Sequence, residues 1–229
     1  DRAAIEPPML LVEGFIPGRE FALEGVLELG ALRVFALFEK PGPRDGPRFE
    51  TDIIVTPARL PSSRQQVLAG HIARAALALG LHHGPVHAWC RVDGDQIVVP
   101  GVSPRPIAGA GARAIPVIDP EGARVGLEDV LIAHALGRSL EGFGHEAVAR
   151  GVLQLAASPG GQWQAVDGVE DVRTLPHVTG VHVTAVPGGE PRVSGGGGPG
   201  YVVAEAPHPG DVVEALHEAG RRLVVRAGG

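Results

Sequence analysis

Few residues in this chain have the type and spacing to do chemistry, and the arrangement excludes more reactions than it admits. Cys90 is the one cysteine. Paired with His87 it would suggest a soft-metal site, but on a strand the two project to opposite faces, and no second pair follows. As a nucleophile Cys90 needs an activating histidine beside it in space. His82 and His83 precede Gly84 in a turn and read as surface residues. No Gly-x-Ser-x-Gly elbow is present. Gly109-x-Gly111 follows a proline-rich turn and lacks the third glycine of a dinucleotide fingerprint. The run Ser194–Gly200 reads as a loop, with no Lys-Ser/Thr after it to make a phosphate cradle. Glu13, Glu20 and Arg105 remain: two carboxylates flanking apolar runs and a guanidinium between prolines. Taken alone, they are solvated charges at strand ends and a surface arginine.

The elements that must position these groups can be read from the punctuation. Gly and Pro number 34 and 21 and fall between the apolar runs. Met9–Ile16, Phe21–Glu28, Leu32–Glu39 and Phe49–Thr56 read as strands, with Leu29-Gly30-Ala31 closing an antiparallel hairpin between the second and third. Pro41–Pro47 is a loop, because its prolines and glycines interrupt any regular element. A helix runs from an N-cap at Ser62 or Ser63 to Leu79, with Val67, Ile72, Ala75, Ala76 and Leu79 inward. Gly84–Val92 and Gln96–Val102 are strands joined by the hairpin turn Asp93-Gly94-Asp95. Helices follow over Leu127–Leu136 and near His145–Arg150. Val152–Ala156, Val178–Val186 and Tyr201–Glu205 read as strands. Val166–Val172 is a turn leading into a helix. A last helix opens at Asp211 as N-cap, and Leu223–Arg226 is a closing strand. The pattern is α+β, divided as 1–150 and a smaller subdomain 151–229.

Composition narrows the class. With 229 residues, 44% hydrophobic and 20% charged, and a mean hydropathy of +0.13, the chain resembles ordinary globular proteins. A net charge of −6 and a pI near 5.9 argue against nucleic acid as a partner, since phosphate neutralisation needs clustered cations. Lys40 is the single lysine. No apolar run approaches the roughly 20 residues that cross a bilayer. One cysteine gives no sign of an oxidising compartment. Asp1–Pro8 lacks the regions of a signal peptide. The expectation is a cytoplasmic protein without a membrane partner. The chain starts without Met and enters a strand-like run at Met9, which reads as the middle of a domain.

The segment Leu11-Val12-Glu13-Gly14-Phe15-Ile16-Pro17-Gly18-Arg19-Glu20-Phe21 resembles the start of the second half of an ATP-grasp domain: an acidic residue, an apolar stretch, Gly-x-Glu, a strand. Phe38-Glu39-Lys40-Pro41, Asp45–Thr51, Ile54–Leu60, Leu79-Gly80-Leu81, Gly84–Ala88 and Ser103-Pro104-Arg105-Pro106-Ile107-Ala108-Gly109 follow in the order seen in a subgroup near the L-amino-acid ligases. The tail resembles that subgroup's lid. The resemblance implies an ATP-grasp carboxy-terminal half, an antiparallel sheet with flanking helices, then a small α+β lid subdomain. It implies an ATP-dependent carboxylate–amine ligase working through an acyl-phosphate, or a fragment of one. Its partners would be small carboxylate and amine substrates such as amino acids, and an amino-terminal half that supplies a glycine-rich loop and a lysine. By this match Glu13, Gly14, Phe15 and Ile16 receive adenine, Glu20 accepts the ribose hydroxyls, and Arg105 faces the transferring phosphate.

The chain departs from the family at the metal. The resemblance implies Mg²⁺ beside ATP as cofactors, held by two acidic residues and an asparagine on paired strands. Those positions fall at Trp89, Gly101 and Ser103. Trp and Gly offer no side-chain oxygen, and Mg²⁺ demands hard oxygen ligands. Metal ligands are therefore none, and the alternative function is a degenerate nucleotide-binding or partner module. His87 shares a face with Trp89 and reads as a satisfied core or cleft histidine.

Overall fold

A computed structural model describes residues 10, 12–42, 52–156, 163–183 and 198–227. The apolar alternation between Arg19 and Glu39 produces the expected hairpin, β1 (Arg19–Glu28) and β2 (Ala31–Glu39), antiparallel from Phe21↔Glu39 to Glu28↔Ala31. Its two-residue turn puts both Leu29 and Gly30 in the left-handed region (φ 51° and 89°), the geometry that matches strand twist. Strand β3 (Asp52–Thr56) follows; then come α1 (Ser62–Ala78), β4 (Gly84–Asp93) and β5 (Gln96–Ser103). A 3₁₀ turn (Gly109–Ala114), β6 (Val117–Ile118), β7 (Arg124–Val125), α2 (Leu127–Ala135) and β8 (Gly144–His145) form a small cap. The remainder is β9 (Ala149–Gln154), β10 (Trp163–Asp167), α3 (Val169–Arg173), β11 (Val178–Val183), β12 (Gly200–Ala206), α4 (Pro209–Arg222) and β13 (Val224–Ala227).

Eight strands make one antiparallel sheet in the order β11-β12-β9-β3-β2-β1-β4-β5. The mixed α+β architecture, an antiparallel sheet with flanking helices, is the one expected. Residues 150 and 151 both lie in β9, which pairs with β3 on one side and β12 on the other. One sheet thus runs across both parts. Its back face is covered by two helices. Leu68, Ile72 and Ala76 of α1 pack on Phe21, Leu23 and Leu37, while Val212, Leu216 and Ala219 of α4 pack on Ile53, Val55 and Leu153. The front face is covered at its middle by the 3₁₀ turn and α2, whose Ala110, Ala114, Leu127 and Val130 meet Ala22, Val26, Ala36 and Phe38. Gly151 lets α4 come close: a Cβ there would meet Val212 at 2.8 Å and Leu216 at 2.9 Å.

Several local expectations are corrected. Met9 and Leu11 lie outside the described residues, and Val12–Pro17 forms no strand; pairing starts at Arg19, where β4 is present to receive it. Helix α1 is entered from Pro61, with no serine side chain capping it. Its buried stripe is Leu68, Ile72 and Ala76, while Val67 and Leu79 are exposed, because the sheet selects the i, i+4, i+8 face. The helix expected near His145–Arg150 is instead β8 and the start of β9, since β3 and β12 would otherwise lack a neighbour. Val166 belongs to strand β10, and α3 begins only at Val169. Helix α4 starts at Pro209 after His208, two residues before Asp211; proline suits the first helical position. Gly200 is in β12 rather than a loop; residues 184–197 and 43–51 lie outside the described residues.

One buried charge ties β1, β2 and the segment after β3 together on the back face. Glu39 accepts from Arg19 Nη2 at 2.6 Å, from Arg59 Nη2 at 2.8 Å and Nε at 2.9 Å, and from the Arg59 backbone N–H at 3.1 Å. Burial pushes its carboxyl up, but the hydrogen bonds from Arg59 and Arg19 outweigh that and hold it below the ordinary range. A depressed folded pKa contributes stability above the unfolded value near 4.5 and loses it as pH falls through the folded one. Glu39→Gln is expected to destabilise the chain at pH 7 by about 2 kcal/mol, the cost of stripping one partner from a partly buried pair. Urea unfolding at pH 7 and at pH 3 checks this: the gap between variant and wild type closes at the lower pH.

Candidate functional site

The front face of β1, β4 and β5 carries three rows of side chains, set by register. On β1 the residues facing forward are Glu20, Ala22 and Glu24; opposite them on β4 stand Arg91, Trp89 and His87. Beyond β4, Gly101 lies across from Trp89 and Ser103 across from His87 on β5.

The first row joins residues that the sequence suggested separately. Glu20 receives Arg91 Nη2 at 3.2 Å and Lys40 Nζ at 3.2 Å. Arg91 also donates to the Ile16 carbonyl at 2.9 Å and lies over the Phe15 ring at 5.3 Å. One guanidinium therefore brings Phe15, Ile16 and Glu20 together. Glu13 and Gly14 are exposed on the same segment. Arg91 was not singled out by sequence; its signal was its place two residues from Trp89, on the same strand face.

In the second row Trp89 lies over Gly101. A Cβ at Gly101 would stand 2.9 Å from Cε3 of the indole and 3.2 Å from Cζ3, so the glycine is what lets the ring lie there. Neither residue has a side-chain oxygen, and among the described residues no three His, Cys, Asp or Glu side chains are grouped to hold a metal ion. A hard divalent cation needs several such oxygens at close range. These residues do not fit Mg²⁺.

The third row is polar and buried. His87 Nδ1 and Glu24 Oε2 are 3.0 Å apart, and the Ile107 N–H donates to the same oxygen at 3.0 Å. Glu24 is 0% exposed and His87 4%; Glu24 Oε1 is buried without a partner. Burial pushes the Glu24 carboxyl up, and the pull of His87, Ile107 and Arg105 only partly offsets it. The indole of Trp89 meets the His87 ring edge-on, at 4.7 Å and 83°. Arg105, two residues past Ser103, is exposed and donates to the Pro106 carbonyl at 3.0 Å. Glu24 escaped sequence reasoning, although a carboxylate within the apolar run Phe21–Leu27 was a visible anomaly.

Cys90 faces the other way, into the α1 core. Burial pushes its thiol up to about 12, which removes it as a nucleophile. A separate cavity of about 640 Å³ opens where β2 and β3 splay, paired among the described residues only through Glu39 and Val55. Leu37, Pro57, Gln65, Pro116 and His145 line it, and none of the side chains of the three rows does. No described helix is long and apolar enough to cross a membrane.

Residues 1–113 match the ATP-grasp domain model, and residues 154–228 match L-amino acid ligase C-terminal domain 2. No curated protein matches in sequence. Among solved structures, an L-amino acid ligase from Bacillus licheniformis superposes with a TM-score of 0.75 at 24% identity, over 94% of this chain and 55% of that one. An N5-carboxyaminoimidazole ribonucleotide synthetase from Thermotoga maritima gives 0.67 at 15%, over 95% and 57%. A phosphoribosylglycinamide synthetase from Anaerococcus prevotii gives 0.68 at 11%, over 92% and 54%. These likenesses share a fold, and the chain spans little more than half the length of each.

The Trp89–Gly101 contact is directly testable. Gly101→Ala is expected to cost about 1–3 kcal/mol, the usual penalty for overpacking, and to shift tryptophan emission. In a Trp89→Ala background the same change should be nearly free. Equal costs in both backgrounds would mean that the ring does not lie over Gly101.

Proposed function

The chain belongs to the ATP-grasp superfamily, and on that premise we propose that it is the nucleotide-binding carboxy-terminal part of a carboxylate–amine ligase fold, now serving as a nucleotide-binding or partner module without a metal-assisted phosphoryl-transfer centre of its own. The observation that carries this reading is the Trp89 ring over Gly101, at the two positions where the family places its acidic ligands. Phosphoryl transfer depends on metal ions to neutralise the charge that develops, and these side chains do not hold one.

Nucleotide binding keeps its support. Glu13–Ile16 would meet the adenine through exposed backbone, and Glu20 would take the ribose hydroxyls. A carboxylate has about four lone-pair sites, so its pairing with Arg91 and Lys40 leaves acceptor capacity. The same two cations sit on the front face, where a phosphate chain would pass, and supply positive charge without a metal. One feature favours the active ligase as a second reading. Arg105, matched to the arginine of the acyl-phosphate step, stands exposed at the end of the third row, poised for an oxyanion on a small carboxylate such as an amino acid.

Titration with ATP, with and without Mg²⁺, separates the readings. The module is expected to bind with affinities that agree within about twofold, a difference under 0.5 kcal/mol. The double variant Trp89→Glu, Gly101→Glu should gain at least about tenfold when the metal is added. Wild-type binding that strengthens tenfold or more with Mg²⁺ would overturn the proposal in favour of the ligase.

A further inference from the structure

The third row has a direction. Glu24 on β1 holds Nδ1 of His87 on β4, and Ser103 stands on β5, on the other side of His87. The two nitrogens of an imidazole point to opposite sides of the ring. With Nδ1 held from the β1 side, Nε2 is left on the side away from β1, where Ser103 stands across the ladder. Directly opposed residues of an antiparallel pair have Cβ atoms about 4.5–5.5 Å apart, which puts the serine hydroxyl within one side-chain rotation of Nε2. The order is orienting carboxylate, base and hydroxyl, an arrangement recognised by geometry and role rather than by chain order.

We propose that Ser103, His87 and Glu24 form a metal-independent acyl-transfer site, in which Ser103 is the nucleophile, His87 the general base and Glu24 a positioning residue. Its substrate is a small activated ester, and its acceptor an amine or water. Four observations support the assignment. Glu24 is fixed from two sides, by His87 and by the Ile107 N–H, so it sets the tautomer and the tilt of the ring. Its second oxygen is buried without a partner, which leaves an acceptor unanswered until His87 takes a proton and becomes an imidazolium beside it. Trp89 closes one side of His87 edge-on and fixes the plane of the ring. Arg105 follows Ser103 by two residues with its guanidinium exposed, a donor for the oxyanion. Replacement of the acidic positions by Trp89 and Gly101 removes negative charge that would oppose that oxyanion. No hydrogen bond joins Ser103 to His87 among the described residues; such contacts commonly tighten only when substrate is bound.

The chemistry balances without an outside reagent. Ser103 Oγ attacks the ester carbonyl as its proton passes to Nε2. The tetrahedral adduct collapses, the ester C–O bond breaks, and the alcohol leaves with that proton. The acyl group is then an ester of Ser103. An amine or water attacks it, gives a proton to Nε2, and releases amide or acid as the serine recovers its proton. No nucleotide takes part, so this site can fail or hold independently of the ATP reading.

The test treats the full chain with a fluorophosphonate probe and with p-nitrophenyl acetate, in the absence of ATP and Mg²⁺. A covalent adduct is expected on the peptide containing Ser103, lost in Ser103→Ala. That substitution lies on an edge strand of the sheet, where it leaves the core untouched. His87→Gln should slow labelling by about 100-fold or more, the scale of general-base catalysis. Glu24→Gln should lower the acylation rate on p-nitrophenyl acetate with KM unchanged, a split that a loss of fold does not produce. Absence of an adduct at Ser103, or labelling of His87→Gln at the wild-type rate, would overturn the proposal.

Discussion

Glu24 is a carboxylate with no solvent exposure, placed among Phe21, Leu23 and Leu27 on a central strand. A charge there is costly unless its surroundings answer it, and the surroundings do so only in part, from three elements. The imidazole comes from β4, a backbone N–H from the segment after β5, and long-range positive charge from Arg105. Meeting these partners requires β1, β4 and β5 to pair in one register. A slip by a single residue would turn Glu24 into the helix-packed face and His87 away from it. The buried acid thus pins the alignment that also opposes Trp89 to Gly101 and Arg91 to Glu20.

That alignment explains why Trp89 and Gly101 come as a matched pair. A Cβ at the opposite position would crowd the indole that lies across β4 and β5, and a glycine there would leave a hole without the ring. Together the two residues make packed apolar surface between β4 and β5. The electrostatic character of the face differs on either side of it: the first row keeps Arg91 and Lys40 around one carboxylate, and the third keeps a buried acid–imidazole pair. The face is divided into a cationic end and a proton-handling end, with an aromatic plug between them.

The back face is organised by different physics. Two helices bury apolar stripes against it, and Gly151 lets α4 approach closely. Glu39 is a fully bonded acid in this layer, clamped by Arg19 and Arg59, which fastens the start of β1 to the end of β2 beside the place where β2 and β3 diverge.

Much of this was legible in the chain. The hairpins were announced by Leu29-Gly30 and Asp93-Gly94-Asp95, and α1 by its apolar period, because turn chemistry and periodicity are local properties. The order of short motifs pointed to the superfamily, and the missing oxygens at Trp89 and Gly101 could be counted without coordinates. The sequence could not show which face of α1 is buried, nor that residues near His145–Arg150 become strand, because a neighbouring strand decides both. It also could not show that Arg91 gathers Phe15, Ile16 and Glu20, or that Glu24, His87 and Ser103 stand in one row. Those three come from residues 24, 87 and 103, and only strand pairing brings positions so far apart in the chain within reach of each other.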